Sequence, residues 1–106
     1  MKPTVLSESE VAAALADGKG PRWHLIGGKL VKTVECAGFV GALEFVEEVG
    51  RLAEEANHHP DIDIRYNRVT LALMTHDAGG ITQLDLDLAG AIDRVAAGVR
   101  PPQAGS

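Results

Sequence analysis

The fold of this chain is decided by residues 39–75, FVGALEFVEEVGRLAEEANHHPDIDIRYNRVTLALMT, where a helical pattern stops at a proline and two strand patterns follow. Apolar positions recur every three or four residues through the first half, which is typical of an amphipathic helix. They are Phe39, Ala42, Leu43, Val46, Val49, Leu52 and Ala53. Pro60 has no amide hydrogen and disfavours helical backbone in the residue before it. The pattern therefore predicts a helix over 39–56 that ends by His58 or His59.

Two strands are predicted directly after this helix, over 61–66 and 69–75. Their apolar residues alternate with their neighbours, as in strands that bury one face. The residues placed on that face are Ile62, Ile64 and Tyr66 in the first strand and Val69, Leu71 and Leu73 in the second. The turn between the strands is predicted at Asn67-Arg68. If the second strand continues, His76 projects from the face opposite to Leu73.

The sequence before this stretch predicts a helix and a hairpin. Ser7, with Glu10 three residues later, offers the side-chain oxygens of a helix start, and the helix is expected to run to Gly18. Its apolar stripe is Val11, Ala14 and Leu15. The strand patterns of 23–26 and 29–34 flank Gly27-Gly28, a pair that can take the positive φ of a tight turn.

The sequence after it predicts a last helix. Thr82, with Asp85 three residues later, can cap the helix start, and Gly98 closes the end. The apolar stripe is Leu84, Leu88, Ala91, Ile92 and Val95. The order is therefore αββαββα. Tight turns favour antiparallel pairing, and three amphipathic helices need an apolar face to cover. We predict a two-layer α+β domain over 1–99, a four-stranded antiparallel sheet with three helices on one face, and a flexible tail over 100–106.

The composition is that of one globular domain. Of 106 residues, 45% are hydrophobic and 24% charged, close to average usage, which excludes a disordered or low-complexity chain. The formal charge of −5 disfavours binding to nucleic acid. No window approaches the ~20 consecutive apolar residues of a membrane span, and the start lacks the apolar stretch of a secretory signal. We expect a cytoplasmic protein. The open face and edges of a small sheet also favour self-association.

Several common functional motifs are missing. The sequence has neither phosphate-binding GxxxxGK[ST] nor GxGxxG after a strand, and no GxSxG of a covalent hydrolase. Cys36 is the only cysteine, so it has no partner for a disulfide or a zinc clip and is expected to be a buried thiol. His58 and His59 would lie about 100° apart on a helix, an awkward geometry for one metal ion. We predict no metal site.

Three of the four histidines lie at two structural breaks, His58 and His59 where the long helix stops and His76 where a strand meets a glycine turn. Carboxylates stand near them, including Glu54 one helical turn earlier and Asp85 beyond the turn. Histidine exchanges protons near neutral pH, and a neighbouring carboxylate orients its ring. The cluster indicates an acid/base site.

Each member also has an ordinary structural explanation. A protonated histidine near a helix C-terminus is favoured by the helix dipole. Glu54 fits a solvated helix face, Asp85 fits a helix cap, and Trp23 is typical of a core anchor. The prediction of a site therefore depends on the cluster rather than on any one residue.

The cluster has a recognisable spacing: an acid, a His-His-Pro triplet, an aromatic residue, a further histidine and an aspartate. In this sequence they are Glu54, His58-His59-Pro60, Tyr66, His76 and Asp85. The sequence resembles the pterin-4a-carbinolamine dehydratases over roughly residues 5–96. The residues of the segments 66–69 and 75–82, and Trp23 ahead of the hairpin, are also similar to those of this family. That family has the αββαββα fold and forms dimers or tetramers.

The resemblance implies the dehydration of a 4a-hydroxytetrahydropterin to quinonoid dihydropterin and water, a step of tetrahydrobiopterin recycling that needs no cofactor. It implies catalysis by His58, His59 and His76, with Glu54 and Asp85 supporting the imidazoles. The expected substrate contacts are His58, His59, Pro60, Thr75, His76, Asp77, Ala78 and Trp23. Relatives also act as protein-interaction modules, as a coactivator or an assembly factor, so a non-catalytic module is the alternative. The complete histidine set favours the enzyme.

Overall fold

Seven elements follow one another in the predicted order αββαββα. The computed structural model describes residues 4–16 and 23–100. The elements are α1 (Glu8–Ala16), β1 (His24–Ile26), β2 (Lys29–Glu35), α2 (Gly38–Ala56), β3 (Asp61–Arg65), β4 (Arg68–Leu73) and α3 (Gln83–Ala96). The predicted end of the first helix at Gly18 and the tail beyond Arg100 lie outside the described residues.

The four strands form one antiparallel sheet in the order β1-β2-β4-β3. Two hairpins, β1–β2 and β3–β4, are joined side by side through β2 and β4, whose register pairs Leu30 with Leu73 and Val34 with Val69. Because side chains alternate along a strand, this register brings the apolar residues of both central strands onto one face. The edges are left to the short β1 and to β3.

The core lies between that face and the helices. Leu30, Val34, Val69, Leu71 and Leu73 are buried from the sheet side. The helices cover them with Val11 of α1, Ala42, Phe45, Val49 and Ala53 of α2, and Leu88, Ala89 and Ile92 of α3. The predicted two-layer α+β architecture is confirmed.

The apolar stripe of α2 is rotated from the one predicted. Phe45 is buried, whereas Phe39 and Leu43 are 48% and 44% exposed. Positions 42, 45, 49 and 53 follow a spacing of three and four and point at the sheet, while 39 and 43 fall at the edge of this stripe. A similar shift exposes Leu84 and buries Ala89 in α3, and Ala14 of α1 is exposed.

The turn between β3 and β4 lies one residue earlier than predicted. Arg65 pairs with Arg68, so Tyr66 and Asn67 form the loop, and Tyr66 is exposed instead of sharing a face with Ile64. Tyr66 has a φ of +53°, which is uncommon for a side chain of this size. Reciprocal bonds hold the turn, since Cys36 N–H donates to the Asn67 carbonyl and the Asn67 side-chain amide donates to the Cys36 carbonyl.

One inward position of β2 is charged. Lys32 lies between Leu30 and Val34 and is 5% exposed, and its Nζ is 2.5 Å from Oδ1 of Asp93 on α3. Trp23 Nε1–H donates to the same oxygen over 2.9 Å. The pair connects the sheet with α3 through a buried cation. Within residues 4–16 and 23–100, no helix combines the length and apolar character needed to cross a bilayer.

Candidate active site

The long helix ends in a way that turns two histidines out of it. Asn57 takes a left-handed conformation with a φ of +49°, and the N–H groups of Asn57 and His58 return to the carbonyls of Glu54 and Ala53. Such a cap satisfies the last carbonyls of a helix and reverses the chain direction. His58 and His59 therefore lie just beyond the C-terminus of α2, ahead of Pro60 and β3.

The third histidine lies on a turn after β4. Thr75 and Gly80 form an isolated bridge, and Gly79, with a φ of +78°, closes the loop by donating its N–H to the Thr75 carbonyl. His76 and Asp77 are exposed at the start of this loop. Since β4 ends at Leu73, the orientation of His76 is set by this loop and not by a continued strand.

These two breaks meet at one cleft. A cavity of about 360 Å³ is lined by Asn57, His58, His59, Met74, Thr75, His76, Asp77 and Leu84. Its volume lies in the range of roughly 300–1,000 Å³ that is usual for small-molecule sites. The three histidines of the predicted set therefore line a single concave surface. His76 reaches it from a position 18 residues beyond His58 in the sequence.

The imidazole of His58 is held by a buried carboxylate. His58 Nε2 lies 2.5 Å from Asp85 Oδ1; the His58 side chain is 10% exposed and that of Asp85 fully buried. The other oxygen, Oδ2, accepts from Thr82 N–H over 2.9 Å and from the Thr75 hydroxyl over 2.8 Å. Asp85 thus orients His58 and, through a capping box with Thr82, also caps α3 as predicted.

The imidazole of His59 has a different environment. Its Nε2 lies 2.5 Å from Glu54 Oε2, with the side chains 58% and 79% exposed. Exposed ion pairs of this kind contribute little to stability because water and salt screen them. Each of the two predicted acids therefore pairs with a different histidine, Asp85 with His58 and Glu54 with His59.

Some members of the predicted contact set lie elsewhere. Trp23 is buried in the core with its indole N–H on Asp93, and Pro60 and Ala78 are not among the cleft-lining residues. Met74 and Leu84 line the cleft but were not predicted near the histidines, and the Thr75–Thr82 hydroxyl contact of 2.7 Å was not predicted either. One signal was available: Asp85 belongs with Leu88, Ala89 and Ile92 to the buried stripe of α3, where a charged residue needs partners.

A larger cavity is lined by other parts of the same two helices. It measures about 550 Å³ between the first half of α2 and the end of α3, and its charged lining residues are Glu44, Glu48 and Arg100. No imidazole lines this cavity, so the smaller cleft is the candidate site for acid/base chemistry. In the part of the chain that the structure describes, no group of three or more His, Cys, Asp or Glu side chains is arranged to hold a metal ion.

Known proteins share both the sequence and the fold. The family model for pterin 4 alpha carbinolamine dehydratase matches residues 4–95. A protein of Chloroflexus aurantiacus (strain J-10-fl), named "Putative pterin-4-alpha-carbinolamine dehydratase", is 56% identical over 90 residues, covering 85% of this chain and 95% of its own. A protein of the same name from Herpetosiphon aurantiacus is 50% identical over 91 residues, covering 86% and 93%.

Two solved structures extend the comparison. A crystal structure described as a transcriptional coactivator/pterin dehydratase from Brucella melitensis has a TM-score of 0.81 and 30% identity, covering 88% of this chain and 99% of that chain. A pterin dehydratase-like protein described as a RuBisCO assembly factor in the alpha-carboxysome has a TM-score of 0.56 at 20% identity, which shows a shared fold alone. With a family model that matches nearly the whole chain, the predicted resemblance is confirmed, and this protein belongs to the pterin 4 alpha carbinolamine dehydratase family.

Proposed function

We propose that this protein is a 4a-hydroxytetrahydropterin dehydratase that acts by histidine acid/base catalysis. The observation that carries the proposal is one cleft lined by three imidazoles, one of which is held by a buried carboxylate. Membership of the family supports the same substrate class. The reaction changes no oxidation level: the C4a hydroxyl leaves as water, the N5 proton is removed, and a C4a–N5 double bond forms.

The cleft offers groups for both proton transfers. His59 and His76 are proposed to flank the C4a hydroxyl, one as the acid that protonates the leaving oxygen and one as the base at N5. Both are exposed in the cleft, where they can meet a substrate. His58 is proposed to bind the substrate or to take part in the proton transfers. Asp85 orients the imidazole of His58, and Glu54 orients that of His59. General acid or base assistance of this kind contributes about 10²- to 10⁴-fold in rate.

The flat polar edge of the pterin needs hydrogen-bonding groups around the imidazoles. The backbone from Thr75 to Ala78 and the backbone at Pro60 are proposed to meet this edge, and Thr75 and Asp77 are among the residues that line the cleft. Such contacts hold the ring in place and so raise the effective concentration of the catalytic histidines.

The test uses the histidines themselves. The 4a-hydroxypterin is generated in situ, and its ultraviolet decay is followed from pH 6 to 9 with wild type, His59→Ala, His76→Ala and His24→Ala. His24 is exposed on β1 and does not line the cleft, so it is a matched control. Each cleft variant should lose about 10²-fold or more of the enzymatic rate. Wild-type turnover in both cleft variants would overturn the proposal.

A second candidate function is a non-catalytic interaction module. It is favoured by one relative of known structure, the Brucella melitensis protein, which is described as a transcriptional coactivator as well as a pterin dehydratase. A module that only binds protein needs no oriented imidazoles, which is why the enzyme is preferred. Absence of pterin turnover, with one stoichiometric protein partner recovered, would reverse the order. We also propose a homodimer or homotetramer, and sedimentation would show a mass of two or four times 11.2 kDa.

A further inference from the structure

A closed set of buried hydrogen bonds joins the N-terminus of α3 to the loop after β4, next to the cleft. Thr75, Thr82 and Asp85 are 5%, 0% and 0% exposed, so each polar atom among them must find its partner within the protein. Thr82 Oγ1 accepts from the N–H of Leu84 over 3.2 Å and lies 2.7 Å from Thr75 Oγ1. Thr75 Oγ1 in turn lies 2.8 Å from Asp85 Oδ2.

The direction of each bond in this set follows from counting protons. A hydroxyl has one proton, and the Thr75 proton is donated to the carboxylate, which can only accept. Thr75 Oγ1 therefore accepts a hydrogen bond from the Thr82 hydroxyl. Thr82 Oγ1 accepts from Leu84 N–H through a lone pair, so its own proton remains available for donation to Thr75. The chain of donors runs from Leu84 to Thr82 to Thr75 to Asp85.

The direction of these hydrogen bonds determines which ring nitrogen of His58 carries the proton. Two donors already occupy Oδ2, from Thr75 and from Thr82 N–H, and they hold the carboxylate as an acceptor with Oδ1 facing the imidazole. Nε2 must then carry the ring proton that Oδ1 accepts. In the neutral ring Nδ1 is left without a proton, and His58 lines the cleft.

We propose that the Thr82–Thr75 hydroxyl pair is a positioning device that fixes His58 in the Nε2–H tautomer and leaves Nδ1 as the proton acceptor in the cleft. The proposal rests on the proposed dehydratase function for its effect on rate. Thr82 reaches no substrate-facing surface and acts through Asp85 and His58, so it is a positioning residue rather than a catalytic one.

The variants separate the hydroxyl from its helix-capping role. Thr82→Val keeps the shape and removes the hydroxyl, while Thr82→Ser keeps the hydroxyl. Thr75→Val breaks the same chain at a residue that caps no helix. Ser7→Ala removes a cap from α1, where Ser7 Oγ accepts from Glu10 N–H, and leaves the buried set intact.

Two readouts are measured in each variant. Long-range ¹H–¹⁵N spectra at alkaline pH, with His58 assigned from its loss in His58→Ala, report which ring nitrogen carries the proton. Wild type, Thr82→Ser and Ser7→Ala should show Nε2–H, and Thr82→Val and Thr75→Val a mixture of tautomers. The two valine variants should also lose about tenfold in kcat with KM changed by less than about threefold.

The outcomes distinguish this proposal from the function on which it rests. If the wild type turns over no pterin, the proposed function is wrong. The ¹H–¹⁵N spectra of His58 then still test whether the Thr82–Thr75 pair fixes the tautomer. Wild-type His58 with its proton on Nδ1, or valine variants with an unchanged tautomer and kcat, would overturn the positioning role. If Thr82→Val does not fold, the wild-type spectrum and Thr75→Val carry the test.

Discussion

At the residue scale, two adjacent histidines pair with carboxylates in opposite environments. Asp85 is buried and accepts from the Thr82 amide, the Thr75 hydroxyl and His58, whereas Glu54 meets His59 in solvent. Desolvation strengthens a charge-assisted bond and also makes its loss costly, because the remaining partners stay buried and unpaired. The same pairing chemistry therefore serves stability at one histidine and only orientation at the other.

Alanine substitutions of the two acids test this difference. We expect Asp85→Ala to lower the free energy of unfolding by about 3 kcal/mol, since it leaves buried donors unsatisfied and uncaps α3. Glu54→Ala should change it by less than about 1 kcal/mol, as for other exposed pairs. Urea titrations followed by circular dichroism give both values. Equal costs for the two variants would contradict the assignment of a structural role to Asp85.

At the element scale, the first and the last helix, α1 and α3, each begin with a capping box. Ser7 and Glu10 exchange bonds at α1, where Ser7 N–H donates to Glu10 Oε1 over 2.9 Å, and Thr82 and Asp85 do the same at α3. The bonds from the backbone N–H and hydroxyl of Ser7 lower the pKa of Glu10 below its usual 4.5. The caps were predictable because they depend on residues three apart in sequence.

The lowered pKa of Glu10 gives a pH-dependent contribution to stability. A carboxyl whose pKa falls on folding stabilises the native state above its unfolded pKa, and the contribution is lost as the pH falls through the folded pKa. We expect Glu10→Gln to be less stable than wild type at pH 7, with the gap closing below pH 4.5. Thermal unfolding of both proteins from pH 7 to 3 measures the gap. A gap that stays constant or widens toward acid would contradict a lowered pKa of Glu10 in the folded protein.

At the scale of the whole molecule, a partly buried ion pair joins the sheet to the helix layer. Lys32 points from β2 into the core beneath Trp23, with its Nζ 5.8 Å from the centre of the ring, and meets Asp93 of α3. Lys32 is the buried partner, whereas Asp93 is 37% exposed and can be hydrated. Loss of Asp93 leaves a buried cation without its partner, but loss of Lys32 leaves a carboxylate that water and Trp23 can satisfy.

This asymmetry predicts different costs for the two halves of the pair. Asp93→Ala should destabilise the protein by about 3 kcal/mol, whereas Lys32→Met, which keeps the buried stem, should change stability by less than about 1.5 kcal/mol. Guanidinium unfolding monitored by the fluorescence of Trp23 measures both. If Lys32→Met proves the more costly variant, the pair contributes through attraction between the layers rather than through desolvation of the lysine.

The sequence by itself determined the element order, the two hairpins, the cap of α3 and the family. Periodicity, proline stops and caps act between residues a few positions apart, so they are readable along the chain. Only the tertiary structure decided that His58 pairs with Asp85 and His59 with Glu54, that Trp23 binds Asp93 away from the cleft, and that Phe45 rather than Phe39 enters the core. These outcomes depend on how α2 and α3 rotate over the sheet, which is set by packing between residues distant in sequence.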